Sequence, residues 1–273
     1  MSTSTSPSQH PRTRTRRITV LISGSGSNLQ ALLDASSTPL LPNAEITYVL
    51  SSRSNAYGLT RASTHNPPIP TSVCALKTFL NKNPGATRTD YDAEVARRVL
   101  DSKPDLVVLA GWMHILSPGF LEILNGTTEP PPAPALPPPT PTSIDPTSTP
   151  TSTTQSSTQQ QQEQQPQPQP EHTLQFPIPC INLHPALPGA FDGADAIGRA
   201  YAAFQNGEIT KTGVMVHRVV AEVDRGEPLV VREIEMVKGE SKEELENKIH
   251  QVSLDPRAPT SLEIVSLCTG LNC

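Results

Sequence analysis

The residues best suited to proton chemistry are Asn182 and His184, which stand two apart in the run Cys180-Ile-Asn-Leu-His184. In a β-strand, residues two apart point to the same side. Histidine can carry a proton near neutral pH, and an asparagine amide can donate to an oxyanion without adding charge. The pattern therefore predicts a polar pair at the end of a strand. A pair that merely satisfies loop backbone remains the alternative.

A carboxylate follows in the turn Glu222-Val-Asp224-Arg-Gly226. A carboxylate beside an imidazole raises its pKa and orients the ring, so Asp224 is the expected partner of His184. The same turn also fits an aspartate that only stabilises a β-turn. His217 lies in an alternating apolar run, for which we predict a structural role.

An anion site is indicated by the turn Gly24-Ser-Gly-Ser-Asn28, which lies between an apolar run and a helical pattern. Small residues let backbone N–H groups approach an anion, and a following helix adds its positive end. The turn lacks the Gly-Lys-Ser/Thr ending of a Walker A loop, and Leu29 replaces the third glycine of a dinucleotide fingerprint. A phosphate and a simple tight turn are both open readings.

An apolar and aromatic stretch, Gly111-Trp-Met-His-Ile-Leu-Ser-Pro118, follows a buried-strand pattern. At the carboxyl end of a strand, such residues could wall a flat heteroaromatic ligand. They could equally continue the core into a helix.

These motifs need a sheet to bring them together. The apolar runs predict strands, and the segments with helical spacing predict helices between them, which indicates right-handed βαβ units and a mostly parallel sheet. The expected strands are Ile18–Ile22, Ala44–Leu50, Leu106–Ala110, Cys180–Leu183, Thr212–Val219 and Pro228–Glu235. The expected helices are Asn28–Ala35, Asp90–Leu100, Ser117–Leu124, Asp195–Phe204 and a helix from Ser241 towards His250. The fold class is thus α/β, a single Rossmann-like domain.

Composition divides the chain into regions. Residues 1–17 are rich in Ser, Thr and Arg and are expected to form a disordered tail, with a transit peptide as the weaker alternative. Residues 126–175 are Pro, Gln, Ser and Thr with almost no core-forming side chains, which predicts a disordered insert within the domain at residues 18–252. A linker between two domains is the competing interpretation. Residues 253–273 have no clear period and form an atypical tail.

Charge and cysteine usage exclude several classes. The net charge of -5 argues against nucleic-acid binding, and no apolar run approaches the ~20 residues of a membrane span. The four cysteines have no CxxC or metal-ligand spacing, so we expect reduced thiols and a cytoplasmic protein.

The order and spacing of four motifs carry a resemblance that no single motif does. They are Val20-Leu-Ile-Ser-Gly-Ser-Gly-Ser-Asn-Leu-Gln-Ala31, Ala110-Gly-Trp-Met-His-Ile-Leu-Ser-Pro118, Asn182-Leu-His-Pro-Ala-Leu-Pro-Gly189 and Asp224-Arg-Gly-Glu-Pro228. Together they resemble the folate-dependent formyltransferase superfamily, in its phosphoribosylglycinamide branch. The resemblance implies transfer of a formyl group from 10-formyltetrahydrofolate, as co-substrate, to the glycine amine of phosphoribosylglycinamide, without a metal and with small molecules as the binding partners.

The resemblance also implies residue roles. Asn182, His184 and Asp224 would be catalytic, with Asp224 keeping His184 protonated so that His184 and Asn182 stabilise an oxyanion. Ser25, Gly26, Ser27 and Asn28 would hold the substrate phosphate. The implied folate contacts are Arg88, Met113, His114, Ile115, Leu116, Asn182, Val220, Ala221, Glu222, Val223 and Asp224.

The chain departs from the family pattern at three positions. His114 stands where many members carry Arg, and Asp195 where bacterial relatives often carry His. Ser253 stands where the closing helix of the family carries a substrate-binding Glu, which predicts weak ribonucleotide binding.

Two other members of the superfamily are alternatives. A formyltetrahydrofolate deformylase would normally carry an N-terminal regulatory domain, and a methionyl-tRNA formyltransferase a basic C-terminal domain. A non-catalytic binding module is the alternative from another class.

Overall fold

The fold is described from a computed structural model, which defines residues 14–36, 38, 41, 43–133 and 172–254. The strands are Arg16–Ile22 (β1), Ala44–Ser51 (β2), Thr71–Val73 (β3), Leu106–Leu109 (β4), Cys180–His184 (β5), Lys211–Arg218 (β6) and Pro228–Glu235 (β7). The helices are Ser27–Ser36 (α1), Tyr57–Ser63 (α2), Leu76–Lys82 (α3), Arg88–Asp101 (α4), Pro118–Leu124 (α5), Ala196–Gln205 (α6) and Lys242–Leu254 (α7).

One seven-stranded sheet, in the order β3-β2-β1-β4-β5-β6-β7, organises these elements. The five strands from β3 to β5 pair in parallel, and β6 and β7 join antiparallel at one edge. The predicted mostly parallel α/β sheet is therefore confirmed. The crossovers are helices because parallel neighbours cannot be joined by a tight turn.

Helices cover both faces of the sheet. Leu29 and Leu33 of α1 pack with alternate residues of β1 on one face, whereas Tyr91 of α4 and Phe120 of α5 pack with Leu21 on the other. A third apolar cluster joins β6 and β7 to Leu245 and Ile249 of α7, both fully buried. Burial on both faces explains why β1 and β4 read as unbroken apolar runs rather than alternating ones.

All six predicted strands are present, most within one or two residues of the expected bounds, and so are the five predicted helices. The sequence reading missed α2, β3 and α3, which are short; among the described residues, α3 buries no side chain fully. Helix α7 begins at the predicted Ser241–Glu244 capping box, in which the Glu244 carboxylate accepts from Ser241 N at 2.8 Å. It runs to Leu254, beyond the predicted end near His250.

Most of the predicted insert at 126–175 falls outside the described residues, as do residues 1–13 of the expected tail and residues 255–273. The two described ends of the insert lie together. Ile178 N donates to the Leu124 carbonyl at 2.8 Å, and the Phe176 ring packs on Gly126 so closely that an added Cβ there would meet it at 2.8 Å. This joint lies where α5 ends and β5 begins, at the amino-terminal edge of the parallel strands.

We predict that replacing residues 132–172 with a short Gly/Ser linker leaves the domain folded, because the contacts of Gly126, Phe176 and Ile178 close the joint without the insert. Loop-closure entropy changes slowly with length, so the unfolding free energy should rise by no more than about 2 kcal/mol. Chemical denaturation of both proteins measures this. An unfolded or strongly destabilised deletion variant would show instead that the insert contributes to the fold.

Candidate active site

The carboxyl ends of β1, β4 and β5 meet at one edge of the sheet, as the carboxyl ends of neighbouring parallel strands must. The turn after β1 carries Gly24–Asn28, the segment after β4 carries Gly111–Leu116, and β5 ends in Asn182 and His184. These three segments border a cavity of about 590 Å³. The structure thus brings together three motifs that are far apart in the sequence.

Nearly all of the residues singled out from the sequence line this cavity. They are Ser25, Gly26, Ser27, Asn28, Met113, His114, Ile115, Leu116, Asn182, His184, Val220, Ala221, Glu222, Val223 and Asp224. Arg88 is not among the lining residues. Its guanidinium instead donates to the Ile115 carbonyl at 2.6 Å.

Asn182, His184 and Asp224 form one contact group. The Asp224 carboxylate lies 3.4 Å from His184 Nδ1 through Oδ2 and 3.2 Å from Asn182 Nδ2 through Oδ1. Asp224 Oδ2 also accepts a hydrogen bond from Gly193 N at 2.7 Å. The predicted proximity of the carboxylate to the Asn–His pair is therefore observed, although the roles of these residues stay a prediction.

The turn that carries Asp224 is built by its neighbours. Asp224 has a left-handed backbone conformation with φ 55°, which aspartate adopts more readily than most non-glycine residues. Gly226 lies against the Arg218 carbonyl, where an added Cβ would come within 1.7 Å of the oxygen. Only glycine fits there, so the Asp-Arg-Gly order aims the carboxylate inwards.

His217 belongs to the same group, which the sequence reading did not anticipate. It pairs with Asn182 across β5 and β6, and its Nε2 lies 3.3 Å from Asp224 Oδ1 and 3.2 Å from Asn182 Nδ2. Its Nδ1 donates to the Arg218 carbonyl at 2.8 Å. The sequence showed a second histidine within a predicted strand. It could not show that this strand pairs antiparallel to β5 in the register that places His217 beside Asn182.

Burial and hydrogen bonding set the charge states. Burial works against ionisation of Asp224, but hydrogen bonds from His217 and Gly193 N outweigh it and lower its pKa to about 2. Burial is also the largest influence on His184 and lowers its pKa below the ordinary value, with His217 lowering it further and Asp224 raising it. This direction is opposite to the one expected if Asp224 keeps His184 protonated, because desolvation outweighs the attraction of the carboxylate.

In the neutral His184 ring, which borders the cavity, one nitrogen carries the hydrogen and the other a lone pair. Its Nδ1 faces the Asp224 carboxylate at 3.4 Å, which can only accept, and so Nδ1 carries the ring hydrogen. Its Nε2 is buried and has no hydrogen-bond partner among the described residues. A buried acceptor without a partner is costly, so Nε2 is the atom best placed to meet a proton on a ligand.

The glycine-rich turn is fixed by an approach of two glycines. Gly26 has φ 70°, and an added Cβ would lie 2.5 Å from Gly58 Cα in α2. Gly58 N donates to the Gly24 carbonyl at 3.2 Å, and Arg61 donates to the Ser25 carbonyl at 2.9 Å. Helix α2 thus supports the turn from behind and leaves its inner side open to the cavity. Gly58 and Arg61 were not identified from the sequence.

Another part of the cavity lining is apolar. Met113 and Ile115 are 62 % and 63 % exposed, unusual for large apolar side chains, and Val220 is also exposed. Trp112 and His114 lie edge to face with ring centroids 5.6 Å apart. Burial lowers the pKa of His114, with Arg88 lowering it further, so the ring adds little charge to this wall. Exposed apolar side chains beside a cavity suit a flat ligand.

Further lining residues carried no recognisable signal in the sequence. They include Arg53, which follows β2, and Glu246 on α7; His250, at which the family-like pattern of the closing helix begins, lines the cavity as well. Asp195, noted above as a departure from the family pattern, lies at the rim, 3.8 Å from Lys242. Among the described residues, no group of three His, Cys, Asp or Glu side chains is placed to hold a metal. No helix of the described ranges is long and apolar enough to cross a membrane.

A parallel sheet whose strand ends present a small-residue turn, a buried carboxylate–imidazole–amide group and an apolar wall defines an α/β protein of the class that binds its ligands at the carboxyl ends of the strands. Comparison with known proteins narrows that class. The sequence model described as formyl transferase matches residues 16–128 and 169–255. The chain belongs to this formyl transferase family.

Relatives and solved structures agree with this assignment. The chain is 42 % identical over 235 residues to a phosphoribosylglycinamide formyltransferase of Schizosaccharomyces pombe, covering 85 % of this chain and 89 % of the relative. The corresponding protein of Saccharomyces cerevisiae is 37 % identical over 245 residues, covering 86 % and 90 %. A glycinamide ribonucleotide transformylase from Symbiobacterium toebii superposes with a TM-score of 0.63 at 26 % identity, covering 91 % of this chain and 86 % of that one.

We predict that Gly26→Ala lowers the free energy of unfolding by more than about 1 kcal/mol, because the new methyl group meets Gly58 and φ is positive. Gly24→Ala is the matched control for stability, since no atom lies within 4 Å of its added Cβ. Chemical denaturation of the two variants separates the effects. Equal stability of both would contradict the proposed glycine–glycine packing.

A second prediction concerns protonation. His184 should titrate below its ordinary pKa of about 6.5, and Asp224→Asn should lower the midpoint further, because the carboxylate favours the imidazolium. As the pH is lowered, His184 takes up a proton in the unfolded chain at a higher pH than in the folded one. Its contribution to the free energy of unfolding therefore falls as the pH drops below about 6.5. NMR titration of the His184 ring tests both statements. A midpoint above that of a free histidine, or an upward shift in Asp224→Asn, would contradict them.

Proposed function

We propose that this chain transfers a formyl group from 10-formyltetrahydrofolate to the glycine amine of 5'-phosphoribosylglycinamide, a step of purine biosynthesis. The observation that carries the proposal is the unpartnered His184 Nε2, held beside Asn182 and Asp224 between a small-residue turn and an apolar wall. Relatives 36–42 % identical that are named phosphoribosylglycinamide formyltransferase support the choice of substrates.

The two ends of the cavity suit the two substrates. The backbone of Ser25–Asn28 and the amino end of α1 favour a phosphate group. Exposed Met113 and Ile115, together with the 220–224 turn that also lines the cavity, favour a flat pterin ring. Such an arrangement would place the amine of one substrate and the formyl carbon of the other near His184. The folate is a co-substrate, and the proposed chemistry needs no metal.

The neutral state of His184 suggests the proton path. As the amine attacks the formyl carbon, a C–N bond forms, the carbonyl electrons move to oxygen, and His184 Nε2 takes one amine proton. The imidazolium so formed is stabilised by Asp224, as in other carboxylate–histidine pairs. Collapse of the tetrahedral intermediate breaks the bond to the folate nitrogen N10, and His184 returns the proton to that nitrogen. His184 would therefore act first as a base and then as an acid.

Asn182 would stabilise the oxyanion. Its Nδ2 bears two hydrogens and lies 3.2 Å from both His217 Nε2 and Asp224 Oδ1. An oxyanion at the cavity edge would accept one of these hydrogens, while the other stays on Asp224. Loss of one such donor typically costs about 2.7–4 kcal/mol in the barrier.

Two statements from the sequence stay predictions. Weak ribonucleotide binding rests on Ser253, whose backbone lies in α7 but whose side chain is not described. A cytoplasmic location rests on composition alone.

The proposed activity predicts that 10-formyltetrahydrofolate loses its formyl group only when phosphoribosylglycinamide is present. We expect His184→Ala and Asp224→Asn each to lower kcat by roughly 10²- to 10⁴-fold, because each removes part of the proton path. His65→Ala, outside the cavity lining, is the matched control. Spectroscopic assays of folate release, with circular dichroism as a folding check, measure this.

The assay also separates the alternatives. Release of formate without the amine substrate would indicate a deformylase. Tight binding of folate without turnover would indicate a binding module. Near-normal kcat in either catalytic variant would exclude the proton path assigned to His184.

A further inference from the structure

The apolar wall of the cavity is held by the first turns of α4. The segment 112–117 follows β4 and supplies the exposed Met113 and Ile115. Three residues on one face of α4 contact this segment. Arg88 donates to the Ile115 carbonyl at 2.6 Å, the Tyr91 ring lies 5.7 Å from the His114 ring, and the Asp92 carboxylate accepts from Ser117 N at 3.0 Å.

Asp92 is the central member of this set. Its side chain is only 1 % exposed, and its two oxygens are divided between two partners. Oδ1 accepts from Arg88 Nε at 3.1 Å, and Oδ2 accepts from Ser117 N. A buried carboxylate persists only where it is paired and hydrogen-bonded. The pairing fixes both the Arg88 side chain and the end of the segment.

Arg88 is thereby directed at the protein. Its Nε contacts Asp92, its Nη2 contacts the Ile115 carbonyl, and its guanidinium carbon lies 5.4 Å from the Tyr91 ring centroid. The two hydrogen bonds use one N–H on Nε and one on Nη2 of the five that the guanidinium carries, and the side chain is 40 % exposed. In this arrangement Arg88 contributes to the cavity by holding Ile115 in place.

The other end of the segment is anchored separately. Met113 N donates at 2.9 Å to the buried Ser23 hydroxyl, which also accepts from Ser52 at 2.6 Å. Between these anchors, Met113 and Ile115 turn outwards. Without the α4 contacts, large apolar side chains would be expected to withdraw from water.

We propose that Asp92 is a positioning residue for the folate-facing wall, acting through Arg88 and Ser117 on segment 112–117 and not by touching substrate. The proposal deepens the function inferred above and rests on it for the identity of the ligand. It makes a selective statement: Asp92 affects binding of the flat substrate and leaves the phosphate end of the cavity unchanged.

The test variant is Asp92→Asn, which keeps the shape but removes the charge that holds Arg88. The matched control is Asp101→Asn on the same helix, whose carboxylate pairs with Arg97 at 2.6 Å but is 64 % exposed and outside the cavity lining. Loss of a hydrogen bond to a charged group should raise KM for the folate about ten-fold or more in Asp92→Asn, with KM for the ribonucleotide within about two-fold of wild type. Asp101→Asn should change neither.

A second readout does not depend on catalysis. Trp112 is the sole tryptophan of the chain, lies at the start of the segment and is 7 % exposed. Its fluorescence should shift to longer wavelength and become easier to quench in unliganded Asp92→Asn, since the segment is freed. It should be unchanged in Asp101→Asn.

A variant that leaves α4 intact guards against general misfolding. Ser117→Pro removes the N–H that Asp92 accepts, and the Ser117 φ of -72° suits proline. It should reproduce both the fluorescence shift and the selective rise in KM. Folates lacking the glutamyl carboxylates should show the same rise, whereas a direct Arg88–carboxylate contact would make the rise depend on them.

The outcomes separate the two proposals. Equal changes of both KM values, or unchanged Trp112 emission in Asp92→Asn and Ser117→Pro, would overturn the positioning role. Absence of formyl transfer by the wild-type chain would overturn the proposed function, while the fluorescence comparison would still decide whether Asp92 positions the segment.

Discussion

The buried carboxylate of Asp224 is the interaction on which the arrangement of the site depends. A negative charge this deeply enclosed is stable only if several donors converge on it. Here they come from three parts of the chain: Asn182 of β5, His217 of β6 and the backbone of Gly193 in the loop before α6. Each donor is thereby fixed relative to the others. The same charge also raises the pKa of His184, while burial lowers it by more.

The sheet topology makes this convergence possible. Parallel strands bring their carboxyl ends to one edge, which supplies Asn182 and His184 but no partner from the far side. The change to an antiparallel β6 reverses the chain direction, so that His217 faces Asn182 and the β6–β7 turn returns Asp224 to the same edge. The left-handed conformation of Asp224 and the tight contact of Gly226 with Arg218 are local costs of that return. The donors around the carboxylate offset them.

Sequence reasoning succeeded where one residue's environment follows from its neighbours in the chain. The runs around Val20 and Val108 predicted buried strands because both faces of the sheet are covered. It missed β3 and the helices beside it, since short elements with half-exposed faces have weak periodicity. It also did not anticipate that His217 contacts Asp224, or that burial lowers the pKa of His184. Register and depth of burial decide both, and neither can be read from spacing.

Arg88 shows a further limit of motif transfer. The resemblance gave it a folate contact, which stays a prediction, whereas in the structure it contacts the Ile115 carbonyl and Asp92, one helical turn away. A buried charge on a helix can thus act on a site without lining it.

The insert, in contrast, enters the fold at a place where it does not disturb the site. Its joint, between Leu124 and Ile178, lies at the amino-terminal edge of the strands, whereas all the groups that converge on Asp224 lie at the carboxyl edge. A chain with this topology can lengthen at the first edge without moving the second, because the strands between them are held on both sides by the sheet.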